Sequence, residues 1–324
     1  MGNKENIFKF IQEKQPVSPR EIVANFDIKR VMVQRHLKNL QEDGVIEKRG
    51  SAPKVYYFTK REVSSEAAAK YNKKQSSIND WLYVLPDGTR LDGAFAFEKW
   101  CKDRRQDPQK MAKTYEDVLA KNKSWYKNGW VDATAKFRET FEEKVLKKVF
   151  YLDFYALEVF GKTKLGQLVF QAKLSQDLNM VREITELVEE NIKNIIKKYK
   201  IEVIVLIPHS LKREIQFLPS VEKILNFGVP IIKPVKIIKD IPIAQKSLSK
   251  FSQRVENARS TIFFTLDQVP EKPFSNVLII DDAVGSGSTL QETGKKILQK
   301  NIAKNIYGLA IVGSKKGFEV ISET

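Results

Sequence analysis

The chain has little of the chemistry that builds disulfides, metal centres or membrane spans. Its 324 residues include one cysteine, Cys101, and two histidines, His36 and His209. One cysteine excludes an intramolecular disulfide framework and a cysteine-rich zinc site, and two distant histidines argue against a metal centre built from protein ligands alone. No run approaches the roughly 20 apolar residues of a membrane span, and the start, MGNKENIFKF, lacks a signal-peptide pattern. We therefore expect a globular, cytoplasmic protein with no membrane partner.

Acidic residues are also scarce relative to basic ones. There are 40 aspartates and glutamates against 56 lysines and arginines, which gives a formal net charge of +16. An excess of this size favours a polyanionic partner such as nucleic acid, although a lysine-rich surface can also serve solubility alone. The 42% hydrophobic content is enough for a sizeable core, and the length favours two or three domains.

The first sixty residues carry helix signals followed by a basic hairpin. Ser18 before Pro19, with Glu21 three positions after the serine, is the signature of a capping box at a helix start. Apolar positions at helical spacing predict a further helix from about Lys29 to Asp43, which Gly44 ends. The segment that follows, VIEKRGSAPKVYYF, predicts two short strands around a basic turn.

Three helices and a hairpin in this order resemble a winged helix-turn-helix domain over about residues 1–60. The resemblance implies that the third helix enters the major groove of double-stranded DNA while the wing meets phosphates. The residues it assigns to DNA are Lys29, Arg30, Gln34, Arg35 and Lys38 on the helix, and Lys48, Arg49 and Lys54 on the wing. The alternative is a protein-interaction module whose basic residues only form a solvated face. Two-fold dimers are common among helix-turn-helix proteins, so a homodimer is one arrangement to expect.

The segment 61–147 is predicted to be a polar linker followed by a small, mainly helical unit. A hairpin is expected to turn at Pro86 to Gly88, and the rest has helical spacing with caps at Asp107 and Asp132. All four tryptophans fall in this segment: Trp81, Trp100, Trp125 and Trp130. Clustered tryptophans either stack on nucleobases or form the core of a small unit, and we favour the core.

The stretch VLIIDDAVGSGSTL, from Val277 to Leu290, predicts a strand, a loop and a helix. Two adjacent carboxylates follow a buried strand, and glycine and hydroxyl residues then lead into the helix. Backbone N–H groups at a helix N-terminus suit a phosphate, and carboxylates at a strand end suit sugar hydroxyls or magnesium. The plainer alternative is an ordinary strand-to-helix turn, but such a turn has no need of a doubled aspartate.

Residues 148–324 alternate strand and helix patterns, which predicts an α/β domain with a largely parallel sheet. Within it, the Val277–Leu290 stretch resembles the phosphoribosyl pyrophosphate signature of type I phosphoribosyltransferases. IPHSLKREIQF and QKSLSKFSQRVENARSTIFF resemble the ComF group of that family, and so does FGKTKLGQLVFQAK, a helix that ends in a lysine, here Lys173. The residues in the order of the ComF pattern are Gln245, Leu248, Arg254 and Asn257.

The resemblance implies a role for each matching residue. Asp281 and Asp282 would meet the ribose hydroxyls and a magnesium ion that arrives with phosphoribosyl pyrophosphate. The residues that would hold the 5′-phosphate are Gly285, Ser286, Gly287, Ser288 and Thr289. The loop of His209, Ser210 and Lys212 would approach the pyrophosphate. A flexible hood with Arg254, Lys246 and Lys250 would close over the ligand; His209 as a catalytic base is the weaker reading, because a loop histidine can simply be solvated.

Two departures from the family pattern leave the activity open. ComF proteins commonly begin with a cysteine-rich zinc module, which this chain lacks, and position 285 is glycine where some base-using phosphoribosyltransferases have an acid. A winged helix before this fold resembles the domain order of the purine operon repressor. Three functions follow: a DNA-binding regulator that senses phosphoribosyl pyrophosphate or a nucleotide, an active transferase that forms an N-glycosidic bond, or a ComF-like accessory protein in DNA uptake or processing.

Overall fold

A computed structural model describes residues 2–14, 17–26, 28–49, 55–59, 73–85, 88–209, 213–237, 248 and 250–314. The chain divides into two compact units, Met1–Tyr71 and Asn72–Thr324. None of the helices within the described ranges is both long enough and apolar enough to cross a membrane.

The unit Met1–Tyr71 consists of three helices and an antiparallel hairpin. The helices are α1 (Asn3–Lys14), α2 (Pro19–Asn25) and α3 (Arg30–Glu42), and the hairpin strands are β1 (Ile46–Arg49) and β2 (Tyr56–Thr59). The predicted capping box is present, because the Ser18 hydroxyl accepts from the Glu21 N–H and the Glu21 carboxylate accepts from the Ser18 N–H. Gly50, Pro53 and Lys54 of the predicted basic turn lie outside the described residues.

The core of this unit is formed by one face of each helix and by the hairpin. Helical spacing places its apolar residues on those faces, and burying them stabilises the packing of the helices. The fully or nearly fully buried members are Ile7, Ile11, Val17, Ile22, Val33, Leu37, Leu40, Ile46 and Tyr57. The opposite face of α3 is therefore left to solvent.

The second unit begins with a compact aromatic-rich part. It contains a 3-10 helix (Lys73–Asp80), the antiparallel strands β3 (Leu82–Val84) and β4 (Arg90–Asp92), and the helices α4 (Gly93–Asp103) and α5 (Pro108–Asn122). Trp81 is the centre of its core, with the rings of Phe97, Trp100, Tyr115 and Phe160 at 5.0–6.0 Å. Three of the four tryptophans are buried: Trp81, Trp100 and Trp130. This burial favours the core interpretation over a stacking platform.

The prediction that the rest of this segment is helical is wrong at residues 126–132. Here β5 (Tyr126–Lys127) and β6 (Trp130–Asp132) form a hairpin, and β6 pairs antiparallel with the first long strand of the main sheet. The turn at Asn128 and Gly129 has positive φ angles of 58° and 91°, which is the geometry that an Asn-Gly pair favours in two-residue hairpins. The helix α6 (Thr134–Thr140) follows directly.

The main sheet is mixed and, within the described residues, has seven strands in the order β11-β10-β14-β15-β7-β6-β5. The long strands are β7 (Leu146–Phe154), β14 (Phe274–Val284) and β15 (Ala303–Gly313), and the shorter ones are β10 (Val203–Leu206) and β11 (Ile231–Ile232). These five are mutually parallel, as the sequence predicts, and the β5–β6 hairpin adds the antiparallel edge. The fold is therefore α/β.

Helices and two small ribbons complete the second unit. The helices are α7 (Lys164–Ser175), α8 (Leu178–Lys198), α9 (Phe217–Ile224), α10 (Phe251–Thr261) and α11 (Ser288–Gln299). The ribbons pair β8 (Ala156–Leu157) with β9 (Gly161–Lys162), and β12 (Val235–Lys236) with β13 (Ile262–Phe263). The apolar segment PIIKPVKII is divided between β11 and β12, because Pro234 between them has no N–H to donate to a ladder.

Candidate functional site

The two aspartates lie on the strand at the centre of the parallel sheet, where ligand sites of such sheets are found. In β14, Val277 to Ile280 are fully buried, and Asp281 lies opposite Ala310 of β15. The sequence predicts that the strand ends at the aspartates. In the structure it continues to Val284. The loop therefore begins at Gly285, and the two aspartates belong to the last residues of the strand rather than to the loop.

The loop residues lead into α11 through a left-handed backbone conformation. Gly287, at the N-cap of α11, has φ +74°, which a residue with a Cβ adopts only with strain. The hydroxyls of Ser286 and Ser288 lie 3.0 Å apart, and these residues are only 5% and 0% exposed. Thr289 is partly buried and Gly285 is exposed. The arrangement brings two hydroxyls and the N–H groups of a helix N-terminus to one place, which suits an anion.

The charges that act on Asp281 are those of its neighbour Asp282 and of two lysines. Burial, and next the charge of Asp282, raise the pKa of Asp281 to about 7, while Lys173 and Lys236 act in the opposite direction. The Nζ of Lys173 lies 2.6 Å from Oδ2 of Asp282, and the Oδ1 of Asp281 accepts the N–H of Asp282 at 2.8 Å. Burial lowers the pKa of Lys236, which the charge of Asp281 partly offsets. Sequence reasoning assigned neither lysine to the site.

Local contacts at the start of α7 fix the helix that carries Lys173. The Thr163 hydroxyl donates to the carbonyl of Phe154 at 2.6 Å and accepts the N–H of Gly166 at 3.0 Å, so the helix starts against the end of β7. A Cβ on Gly166 would collide with the carbonyl oxygen of Tyr155, so only glycine permits this close approach. Lys173 therefore reaches Asp282 from a helix whose position is set by packing.

Arg254 lies beside the loop, close to Gly285. A Cβ built on Gly285 would lie 3.8 Å from Nη1 of Arg254, and Nε of Arg254 donates to the carbonyl of Leu248 at 2.8 Å. Burial lowers the pKa of this guanidinium. Its helix, α10, is fixed to α11 because Arg259 bonds Glu292 and the Lys296 ammonium donates to the carbonyls of Arg259 and Ile262.

His209 follows β10, the parallel neighbour of β14, and so lies at the same edge of the sheet as the aspartates. His209 is exposed. It lies three residues after Leu206, which pairs with Ile280, the residue before Asp281. Ser210, Lys212 and Lys246 lie outside the described residues, whereas Lys250 is exposed at the start of α10. The residues that the structure gathers at this edge are Asp281, Asp282, Gly285, Ser286, Gly287, Ser288, Thr289, His209 and Arg254.

A resident magnesium ion does not fit the side chains at this edge. Within the described residues, no group of three or more histidine, cysteine or acidic side chains could hold a metal ion. One oxygen of Asp282 is already bound by the Lys173 ammonium, and a divalent cation at the pair would face both Lys173 and Lys236. Magnesium in proteins keeps several of its waters and is held by one or two carboxylates together with substrate phosphates, so these side chains alone do not form a dedicated magnesium cage.

The candidate DNA-contacting residues belong to the other unit. On α3, Val33, Leu37 and Leu40 are buried, and the side chains on the other face are exposed. The exposed candidates are Lys29, Arg30, Gln34, Arg35, Lys38 and Lys48. The side chain of Arg49 and all of Lys54 lie outside the described residues. Two apolar residues of α3, Val31 and Met32, are also exposed, Val31 to 75%.

The chain is similar, at low sequence identity and over about half of its length, to several solved structures. No protein-family model and no curated protein sequence matches the chain. Among solved structures it is similar to an adenine phosphoribosyltransferase, with 18% identity over 45% of this chain and 78% of that one and a TM-score of 0.30. Two others are the adenine phosphoribosyltransferase of Saccharomyces cerevisiae (15% identity, 51% and 83% covered, TM-score 0.31) and a hypoxanthine-guanine phosphoribosyltransferase of Bacillus anthracis (16%, 46% and 77%, 0.29). Because these values are low, function must be argued from the residues of this chain.

Proposed function

We propose that the unit Asn72–Thr324 binds a phosphorylated pentose, either phosphoribosyl pyrophosphate or a nucleoside monophosphate. One observation carries the proposal: the carboxylates of Asp281 and Asp282 lie a few residues before a helix N-terminus that contains the buried hydroxyls of Ser286 and Ser288. A helix N-terminus binds phosphate through its N–H groups, and carboxylates accept strong hydrogen bonds from hydroxyls. A phosphorylated sugar carries hydroxyls and a phosphate in one molecule.

In this proposal each part of the ligand has its own partners. The 5′-phosphate binds the N–H groups and hydroxyls of the loop Gly285, Ser286, Gly287, Ser288 and Thr289, and the ribose hydroxyls donate to Asp281 and Asp282. Arg254 adds a guanidinium on the side of the loop that faces α10. His209 approaches the group on C1 of the sugar. Magnesium, which the family resemblance implies, has no cage of protein ligands among the side chains that the structure describes here.

We infer ligand binding rather than turnover as the function of this site. A transferase must form an N-glycosidic bond at C1 as pyrophosphate leaves, and it must orient the incoming base while water is excluded. Position 285 is an exposed glycine, and no acid stands there to handle the ring of a base. The alternative, an active phosphoribosyltransferase, predicts pyrophosphate release when phosphoribosyl pyrophosphate is mixed with a panel of bases.

Calorimetric titration with phosphoribosyl pyrophosphate and with AMP tests the proposal. We expect saturable binding by the wild type and a loss of at least about tenfold in affinity in Asp281→Asn/Asp282→Asn, because charge-assisted hydrogen bonds to hydroxyls are lost. The matched control is Asp117→Asn, an exposed carboxylate on α5, which should bind as the wild type does. Unchanged affinity in a folded double variant rejects the site.

Binding of double-stranded DNA by the unit Met1–Tyr71 is a second candidate function. It is favoured by α3, which buries one face in the core and exposes lysine and arginine side chains on the other, as a recognition helix must. Together the two activities describe a regulator whose affinity for DNA depends on a phosphorylated pentose. A preference for single-stranded over duplex DNA would instead support the ComF-like accessory role.

A further inference from the structure

Two lysines from separate elements approach the two aspartates of the ligand site. Lys173 comes from the last turn of α7, and Lys236 comes from β12. The ammonium of Lys173 lies 2.6 Å from Oδ2 of Asp282, and Lys236 is close enough to Asp281 for each to act on the charge of the other. Arg254 is a third basic group, and it lies near Gly285 of the adjoining loop.

The Lys173–Asp282 pair differs from an ordinary surface ion pair. Surface pairs between neighbouring turns of one helix, such as Lys193 with Glu189, stabilise a protein very little. Lys173 and Asp282 are 109 positions apart in the chain, and their side chains are only 26% and 25% exposed. The neighbours Val169 and Ala172 on α7 are buried, so the backbone that holds Lys173 is fixed. The ammonium is therefore built into the edge of the sheet that the ligand would occupy.

The position of this ammonium has consequences for the ions that can share the site. A phosphorylated pentose brings several negative charges toward two carboxylates, and a cation must offset the repulsion between them. A divalent metal is the usual means, but a hydrated divalent ion at Asp282 would displace Lys173 or be repelled by it. An ammonium in contact with the carboxylate offsets the charge of that carboxylate without a metal, and it leaves the other lone pairs of Asp282 to accept from a hydroxyl.

We propose that Lys173 is the resident cation of the ligand site and that the protein binds its phosphorylated pentose without a divalent metal. This inference rests on the proposed function. Lys173 holds the Asp282 carboxylate toward the sugar and faces the anionic group on C1, and the charge of Lys236 offsets part of the charge of Asp281. Lys173 thus determines specificity, because it selects ligands that carry an anionic group beyond the 5′-phosphate.

Calorimetry with phosphoribosyl pyrophosphate, in EDTA and in excess magnesium, tests this inference. We expect the wild type to bind in EDTA within about threefold of its affinity in magnesium, and Lys173→Met to lose about tenfold or more in EDTA and recover part of it in magnesium. Lys173→Arg keeps the charge and should still bind in EDTA. The control Lys193→Met removes an exposed lysine of α8 and should match the wild type.

The outcomes separate this inference from the proposed function. Wild-type binding that appears only with magnesium overturns the role of Lys173 and leaves the ligand site standing. Equal affinity of the wild type and Lys173→Met in EDTA also overturns it, provided that thermal unfolding shows the variant to be folded. If Lys173→Met does not fold, the wild-type titrations in EDTA and in magnesium decide alone. An absence of binding by the wild type under both conditions rejects the proposed function itself.

Discussion

The Nε of Arg259 on α10 lies 3.0 Å from Oε2 of Glu292 on α11, and the Glu292 side chain is only 3% exposed. This contact joins the helix that carries Arg254 to the helix whose N-terminus forms the loop. Lys295 also contacts Glu292, at 3.5 Å, so the carboxylate has a second cation. The helix that carries Arg254 is therefore joined, through a buried carboxylate, to the helix that follows the glycine loop.

Loss of this contact should therefore weaken ligand binding from a distance. We expect Arg259→Met to lower the affinity for phosphoribosyl pyrophosphate about three- to thirtyfold, because Arg254 is no longer held beside Gly285. Calorimetry measures the change, and Glu256→Gln is the control, since it removes only the exposed pair that Arg259 forms along its own helix. An unchanged affinity in Arg259→Met would show that α10 is positioned by other contacts.

The two glycines at the ends of the loop should differ in their tolerance of a side chain. We expect Gly287→Ala to destabilise the protein by about 1–2 kcal/mol, because its φ of +74° strains any residue with a Cβ. Gly285→Ala should stay within about 0.5 kcal/mol of the wild type, since its Cβ meets only Arg254 at an ordinary 3.8 Å. Urea unfolding of the two variants checks the difference, and equal losses would contradict the loop geometry.

Stability should fall with rising pH because of Asp281. Burial and the charge of Asp282 raise its pKa from 3.8 to about 7, so between these values the folded state holds a proton that the unfolded state has released. The resulting stabilisation is fully present below about pH 4 and is lost as the pH rises through 7, by at most about 4 kcal/mol. Urea unfolding from pH 4 to 8 measures it, with Asp281→Asn as the control. A parallel pH profile in that variant would contradict the assignment.

Duplex DNA affinity should depend on the basic face of α3. We expect Arg30→Ala/Arg35→Ala to weaken binding by about 1–3 kcal/mol if either side chain reads a base, and the affinity of the wild type to fall steeply with salt. Fluorescence anisotropy with labelled duplex measures both effects. Lys14→Ala removes an exposed charge at the end of α1 and serves as the control. Equal losses in the two variants would point to non-specific attraction by the net charge.

Much of this fold follows from local sequence signals. The capping box at Ser18 and the cap at Asp107 lie where the side-chain pattern predicts them, because capping depends on residues three positions apart. The strand, loop and helix around Asp281 are also predicted, since a continuous apolar run and helical periodicity bracket the glycines. The Asn-Gly turn at 128–129 was available as a hairpin signal, but the helical spacing of the flanking residues obscured it.

The features of the site that the sequence does not predict depend on contacts between distant segments. The continuation of β14 to Val284 depends on pairing of Ala283 with Val312 and of Val284 with Gly313, which no local pattern reveals. Lys173 reaches Asp282 only because α7 starts against the end of β7. A lysine in the last turn of an amphipathic helix is common, so its role follows from tertiary packing alone.

The claim that the loop after β14 holds the phosphate of a pentose is tested most directly by hydrogen exchange. Amide exchange of Gly285–Thr289 should slow when phosphoribosyl pyrophosphate saturates the wild type, because these N–H groups then donate to phosphate oxygens. The same ligand concentration should leave exchange unchanged in Asp281→Asn/Asp282→Asn. Saturable binding with unaltered exchange across Gly285–Thr289, and protection confined to another part of the chain, would contradict the account.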